Sequence, residues 1–392
     1  MTSEWHEVPL RELVGYISKG IAPSYAEEES ETTIRVLNQK CNRNFQISYG
    51  DSRLHDTLKK KVPPERYVKP DDILINSTGA GTAGRIAQIE DVPSATTIDG
   101  HMILIRSNGK VTQKFLGYAL KAHQWEVLQL DEGSTGQTEL NRERLLDEIM
   151  INYPVSFDEQ NAIVGTLESI DRKLIVNEQL NDNLQQQASA LFSSFYDWSN
   201  TEVRYTDLIQ ILGGGTPKTG ENTYWNGNIA FFTPKDVGTP YTLITEKTIS
   251  KEGLSHCNSR LYPVNTVFVT ARGTVGKVGM SGVPMAMNQS CYALVGKETH
   301  QLLVYFYTLK AVDRLKHKAS GAVFDAITTR DFESEQIMKL SDDDAKAFLC
   351  VAKPMFQEVL NNNIENLRLS TLRDSLLPKL MSGEIDVSAV QL

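Results

Sequence analysis

With 392 residues, 40% hydrophobic and 23% charged, the chain is long enough for two or three domains and has an ordinary soluble composition. No apolar run approaches the roughly 20 residues of a membrane span, and the opening Met1-Thr2-Ser3-Glu4-Trp5-His6 lacks a signal-peptide pattern, so a membrane-free, cytoplasmic protein is expected. The scattered Cys41, Cys257, Cys291 and Cys350 exclude a C-x-x-C zinc or redox pair, and the net charge of −9 excludes a uniformly basic nucleic-acid binder.

Taken in chain order, Glu7-Val8 and Leu13 open the chain, and the apolar stretch Ile34 to Leu37 runs into Asn38-Gln39-Lys40. A strand is predicted over 72–76, rich in β-branched residues, ending in Gly79-Ala80-Gly81-Thr82-Ala83-Gly84-Arg85. That loop matches G-x-G-x-x-G and invites a dinucleotide site, but Arg85 to Ile89 alternates like a strand where such a site needs a helix. A strand over 102–105, a helix over 115–128 and a glycine-rich loop at 133–141 complete this stretch.

The segment 155–198 is a long helix with an acidic first turn (Asp158, Glu159) and a seam of Leu167, Ile170, Leu174, Leu184, Ala188, Leu191 and Phe195, interrupted by Asn177 and Asn181. Its roughly 44 residues would reach about 60 Å.

The pattern then begins again. Glu202-Val203 and Leu208 answer the opening, Ile229 to Phe232 leads to Lys235, and strands over 266–270 and 291–295 and a helix over 302–315 follow. Gly273-Thr274-Val275-Gly276-Lys277 matches the first glycine loop without its leading glycine, which removes the dinucleotide reading from both copies. A loop at 320–327 stands where 133–141 stood, and a second long helix over about 341–382 carries Ile364, Leu367, Leu372, Leu376 and Leu380. Pro354 is expected to delay its start, and Pro378 and Gly383 to mark its end.

The expected fold is therefore mixed α/β (α+β) globular domains in duplicate, 1–154 and 199–340. They are separated and followed by long antiparallel coiled-coil-like helices, 155–198 and 341–392. The acidity sits on the helices: 155–198 holds seven acids against two bases and 341–392 eight against five, which leaves the globular copies nearly neutral and able to present a basic face. Asn, Gln, Lys and Arg suit base edges, and Thr hydroxyls suit phosphates. The candidate DNA-binding residues are Asn38, Gln39, Lys40, Thr82, Arg85, Gln137, Thr138 and Asn141 in the first copy. In the second they are Thr216, Lys218, Thr219, Lys235, Asp236, Arg272, Thr274 and Lys277. No acid–base set, metal-ligand cluster, Walker motif or D/N-P-P-Y/F sequence recurs, so binding is expected rather than turnover. A stand-alone DNA-modifying enzyme with a cofactor loop at Gly79–Gly84, or a helical protein adaptor, are the competing readings.

Gly213-Gly214-Gly215-Thr216-Pro217-Lys218-Thr219, Thr233-Pro234-Lys235-Asp236, Arg272 to Lys277 and Leu376 to Ile385 resemble specificity subunits of type I restriction–modification enzymes. The first copy departs from them with Ile21-Ala22-Pro23 and Asp99-Gly100. The resemblance implies two target recognition domains reading a bipartite double-stranded DNA target. It also implies helices that set the spacer and dock two methyltransferase subunits, with restriction (motor-nuclease) subunits joining them. The chain itself would carry no cofactor and no catalysis; S-adenosylmethionine would bind the methyltransferase partner.

Overall fold

The structure, a computed structural model, describes residues 4–132, 139–197, 200–238, 240–318 and 326–387. It divides into two compact units, Met1–Lys173 with Leu369–Leu392, and Leu174–Arg368. The division runs through both long helices rather than at their ends.

The first unit contributes β1 (Val14–Lys19), β2 (Thr33–Leu37), β3 (Ile73–Asn76), β4 (Ile86–Gln88), β5 (Thr96–Ile98), β6 (Met102–Ser107) and helix α1 (Gln113–Ala122). β1, β6, β3 and β4 lie in that order in an antiparallel sheet, while β2 pairs in parallel with β5 in a second sheet. Helix α2 (Phe157–Phe195) follows. The second unit repeats the plan with β7 (Ile209–Gly213), β8 (Trp225–Phe232), β9 (Val267–Thr270), β10 (Val278–Ser281), β11 (Met285–Met287), β12 (Cys291–Gly296) and α3 (Gln301–Lys318). Here β7, β12, β9 and β10 form the antiparallel order, and β8 pairs in parallel with β11. Helix α4 (Asp342–Met381) ends the described fold. No helix is long and apolar enough to cross a membrane.

The central strands are buried on both faces, which explains their unbroken apolar runs. Ile73 and Ile75 of β3 feed the core under α1, and Leu74 feeds a second core with Leu37 and Ile98. In β9, Val267 and Val269 serve one core, while Phe268 serves another with Phe232 and Met287.

Each unit is completed by pieces of both helices. Ile163, Val164 and Leu167 of α2 share the first unit's core with Leu377, Leu380 and Met381 of α4. Ala188 and Phe192 of α2 share the second unit's core with Phe348, Ala352, Phe356 and Val359 of α4. Each helix therefore starts on the copy that precedes it in the chain and finishes in the other unit. Within the second unit the helices pair antiparallel. Asn177 donates to Glu365 and Asn366, both at 2.8 Å, and Asn181 donates to Asn363 at 2.9 Å and accepts from Asn362 at 2.9 Å.

Three helix details differ from the sequence expectation. Pro354 does not delay α4, which begins at Asp342; its ring sits on the exposed face, well inside the helix. Leu367 and Leu372 are exposed, and the buried middle is supplied by Asn177, Asn181 and Asn362. Phe192, one position from the expected Leu191, is the residue fully buried in the second unit, whereas Leu191 and Phe195 are half-buried.

Candidate nucleic-acid interface

The strand order brings four loops to one edge in each unit. In the second unit, β7 and β9 end, and β12 and β10 begin, at the same edge, because Gly213 lies opposite Tyr292, Thr270 opposite Cys291 and Val269 opposite Val278. The loop after β8 joins them: Thr274 Oγ1 donates to the Pro234 carbonyl at 3.2 Å, and Asn288 N donates to the Phe232 carbonyl at 3.0 Å. The first unit shows the same edge. Asn76 Nδ2 donates to the Gln39 carbonyl at 3.2 Å, and Asp99 N donates to the Leu37 carbonyl at 2.9 Å, the counterpart of the Asn288 bond.

Both edges depend on close backbone approach at one position. A Cβ on Gly20 would overlap the Ile98 and Asp99 carbonyls, and one on Gly214 would overlap the Met287 and Asn288 carbonyls. Gly20→Ala and Gly214→Ala should each destabilise by about 1–3 kcal/mol through overpacking against rigid backbone. An unchanged midpoint in urea unfolding would show that the edge gives way more easily than this geometry allows.

The turn that carries each lysine is built in two ways. In the second unit Asp236 Oδ2 accepts from Thr233 N at 2.8 Å and Thr233 Oγ1 at 2.6 Å, and Oδ1 accepts from Glu246 N at 2.8 Å. In the first, Asn38 N donates to Cys41 Sγ at 3.5 Å, and Asn38 Oδ1 accepts from Lys40 N at 2.9 Å. Both turns close with nearly the same backbone bond, Cys41 N to Asn38 O at 2.9 Å and Asp236 N to Thr233 O at 3.0 Å. Asp236 and Asn38 thus hold the turn, while Lys40 and Lys235 project from it exposed. Lys235 Nζ lies 3.5 Å from Glu246 Oε2, an open surface pair of small energetic weight.

The glycine loops are turns between strands, as the repeat implied. Gly84 and Gly276 have φ of 84° and 74°, in the left-handed region that favours glycine, and each is followed by a strand. Arg272, Thr274 and Lys277 are exposed along the second loop, and Thr82 and Arg85 are partly exposed on the first, where Arg85 Nη2 donates to the Gly81 carbonyl at 3.1 Å. Thr216 Oγ1 bonds Gln289 Oε1, and Lys218 and Thr219 are exposed beyond it. Lys218, Arg272 and Lys277 have no ion-pair partner among the described residues. The buried thiol of Cys291 at this edge is pushed up to about 12 by desolvation, so it stays neutral.

Asp99 and Asn288, which differ between the copies, make the same turn: Asp99 Oδ1 accepts from His101 N at 2.9 Å, and Asn288 Oδ1 accepts from Ser290 N at 3.0 Å. Burial raises the Asp99 carboxyl above its ordinary range.

A family model described as "Type I restriction modification DNA specificity domain" matches residues 2–186 and again residues 197–339. The chain belongs to this specificity family. Among its relatives, the MjaIX specificity subunit of Methanocaldococcus jannaschii is 26% identical over 172 residues, 42% of this chain. The HindI specificity subunit of Haemophilus influenzae is 28% identical over 186 residues, 46% of this chain. The matched stretches span only 39% and 40% of those relatives' own lengths. The crystal structure of the type I S subunit from M. genitalium has the same fold, with a TM-score of 0.61 at 15% identity over 97% of this chain and 96% of that one.

Within the specificity family's duplicated frame, the remaining candidates separate. Asn141 caps the helix Arg142–Glu148: its Oδ1 accepts from Glu143 N at 3.0 Å and Arg144 N at 3.1 Å, and its Nδ2 donates to Glu132 at 3.0 Å. Gln137 and Thr138, and the loop at 320–325, lie outside the described residues. Sequence reasoning missed the small hairpin formed by Asn42–Arg43 and Gln46–Ile47, present only in the first unit among the described residues. Its signal was Asn44, a residue that tolerates positive φ and has 53° here.

Proposed function

We propose that each loop edge reads one half of a bipartite double-stranded DNA target. Helices α2 and α4 would set the unread spacer and dock two methyltransferase subunits, which bring S-adenosylmethionine; motor-nuclease subunits would complete a cytoplasmic restriction complex. One observation carries this reading: Lys40, Thr82 and Arg85 in the first unit and Lys235, Thr274 and Lys277 in the second lie, exposed or partly exposed, on the same edge of the same strand order. The turns beneath those residues are built by different side chains, as expected of one frame adapted to two sequences. Exposed Val176, Leu180, Val351 and Leu367 on the helices support a protein-facing role there.

Mapping methylated adenines in cells that express this chain with its partner subunits tests the reading, and a two-part motif with a fixed gap is expected. Lys235→Ala should weaken recognition of one half-site about tenfold and leave partner assembly intact. Unaltered methylation of the cognate site by that variant would remove Lys235 from the interface.

A further inference from the structure

We propose that the first unit carries a DNA-backbone clamp that the second lacks, formed by the Asn42–Ile47 hairpin and resting on the recognition reading above. Between the hairpin, the lysine turn and the first glycine loop lies an open cleft of about 630 Å³. Lys40, Arg43 and Arg85 line it, and no acidic residue does. None of the three has an ion-pair partner among the described residues, whereas Lys19, Arg35, Arg106 and Lys114 of the same unit each do. Three uncompensated cations in one concavity, on a chain of net charge −9, mark a place for an anion.

The hairpin is held for this task. Asn44 and Phe45 have consecutive positive φ of 53° and 62°, a costly backbone for a bulky residue like Phe45. The Phe45 ring packs against the first unit's core with Lys121 Nζ 5.0 Å from its centroid, which fixes the strained turn. Asn42 is 1% exposed and donates through Nδ2 to the Arg85 carbonyl at 2.8 Å, joining the hairpin to the glycine loop. Arg43, between these anchors, is left exposed on the cleft. A groove that presents guanidinium and ammonium groups with no carboxylate beside them suits phosphate oxygens.

A sequence-independent clamp can be tested with a fluorescein-labelled mixed-sequence duplex and the full chain assembled with its partner subunits. Binding is measured across a salt series. Arg43→Ala should reduce the slope of log affinity against log salt by about 0.9, without altering which sequence is methylated. Arg43→Lys should keep the wild-type slope. An Arg43→Ala slope equal to wild type, or a changed methylation motif with an unchanged slope, overturns the clamp while leaving the recognition reading in place. No duplex binding by the wild-type complex overturns both.

Discussion

Phe192→Ala should lower the stability of the second unit by about 3–5 kcal/mol, the cost of emptying an aromatic site that cannot collapse. The ring is 1% exposed and stacks on Phe306 at 5.0 Å and Tyr196 at 5.4 Å. It also meets the edges of Tyr307 at 5.6 Å and Phe348 at 5.4 Å. Phe306 and Tyr307 belong to α3, Phe348 to α4, and Tyr196 follows the end of α2, which carries Phe192 itself, so a single side chain fastens both long helices to the globular frame. No smaller residue restores four aromatic contacts at once. Phe192→Leu should recover part of the loss, because it refills volume without the ring geometry. Differential scanning calorimetry reads both variants. An alanine variant that melts with wild type would mean that the helices are held by something other than this cluster.

Asp171→Ala should cost about 3 kcal/mol in the first unit, because it leaves the nearly buried Lys121 ammonium without its carboxylate. Asp171 Oδ2 accepts from the Tyr118 hydroxyl at 2.9 Å and Lys121 Nζ at 3.1 Å, and Oδ1 accepts from Arg373 Nη1 at 3.0 Å. The Lys121 side chain is only 11% exposed. Burial alone would raise the carboxyl, but Lys121, Arg373 and Tyr118 outweigh it and hold it below its ordinary range. Desolvation in turn lowers Lys121 and raises the Tyr118 phenol. Because the folded carboxyl is depressed, its contribution is present above the unfolded value of about 3.9 and is lost as pH falls through the folded value. Wild type should therefore lose stability on acidification below about pH 4, with Asp171→Asn showing a shallower loss there. Parallel acid curves for the two proteins would contradict the assignment.

Much of the frame was legible because two periodicities reinforced each other: strands such as 72–76 and 266–270, and helices such as 115–128 and 302–315, recurred in the same order. What stayed hidden has physical reasons. Leu191, Phe192 and Phe195 lie within about one turn of helix, and spacing alone cannot say which of them points at a core. An asparagine offers the same donor and acceptor to a base edge as to a helix end, so Asn141 read as a DNA contact although its side chain caps a helix. Pro354 gave a late-start signal that an exposed face of α4 absorbs. Leu367 and Leu372 continued an apolar spacing that the folded helices do not use, since asparagine pairs fill the buried middle. Asn38 with Cys41 and Thr233 with Asp236 shared no residue type, so their common turn could not be seen before the backbone bonds were known.

Those two turns also bear on how such a frame can diverge. Cys41 is fully buried, and an aspartate placed there alone would meet Asn38, which lacks the threonine hydroxyl that satisfies Asp236. A threonine at position 38 alone would lose the Asn38 Nδ2 donation to the Asp51 carbonyl and offer Lys40 N only a weaker hydroxyl acceptor. Each turn is a local optimum, and single substitutions from one toward the other lead downhill. The side chains exposed above each turn can therefore be exchanged one at a time without disturbing its fold, while the pairs beneath can change only together.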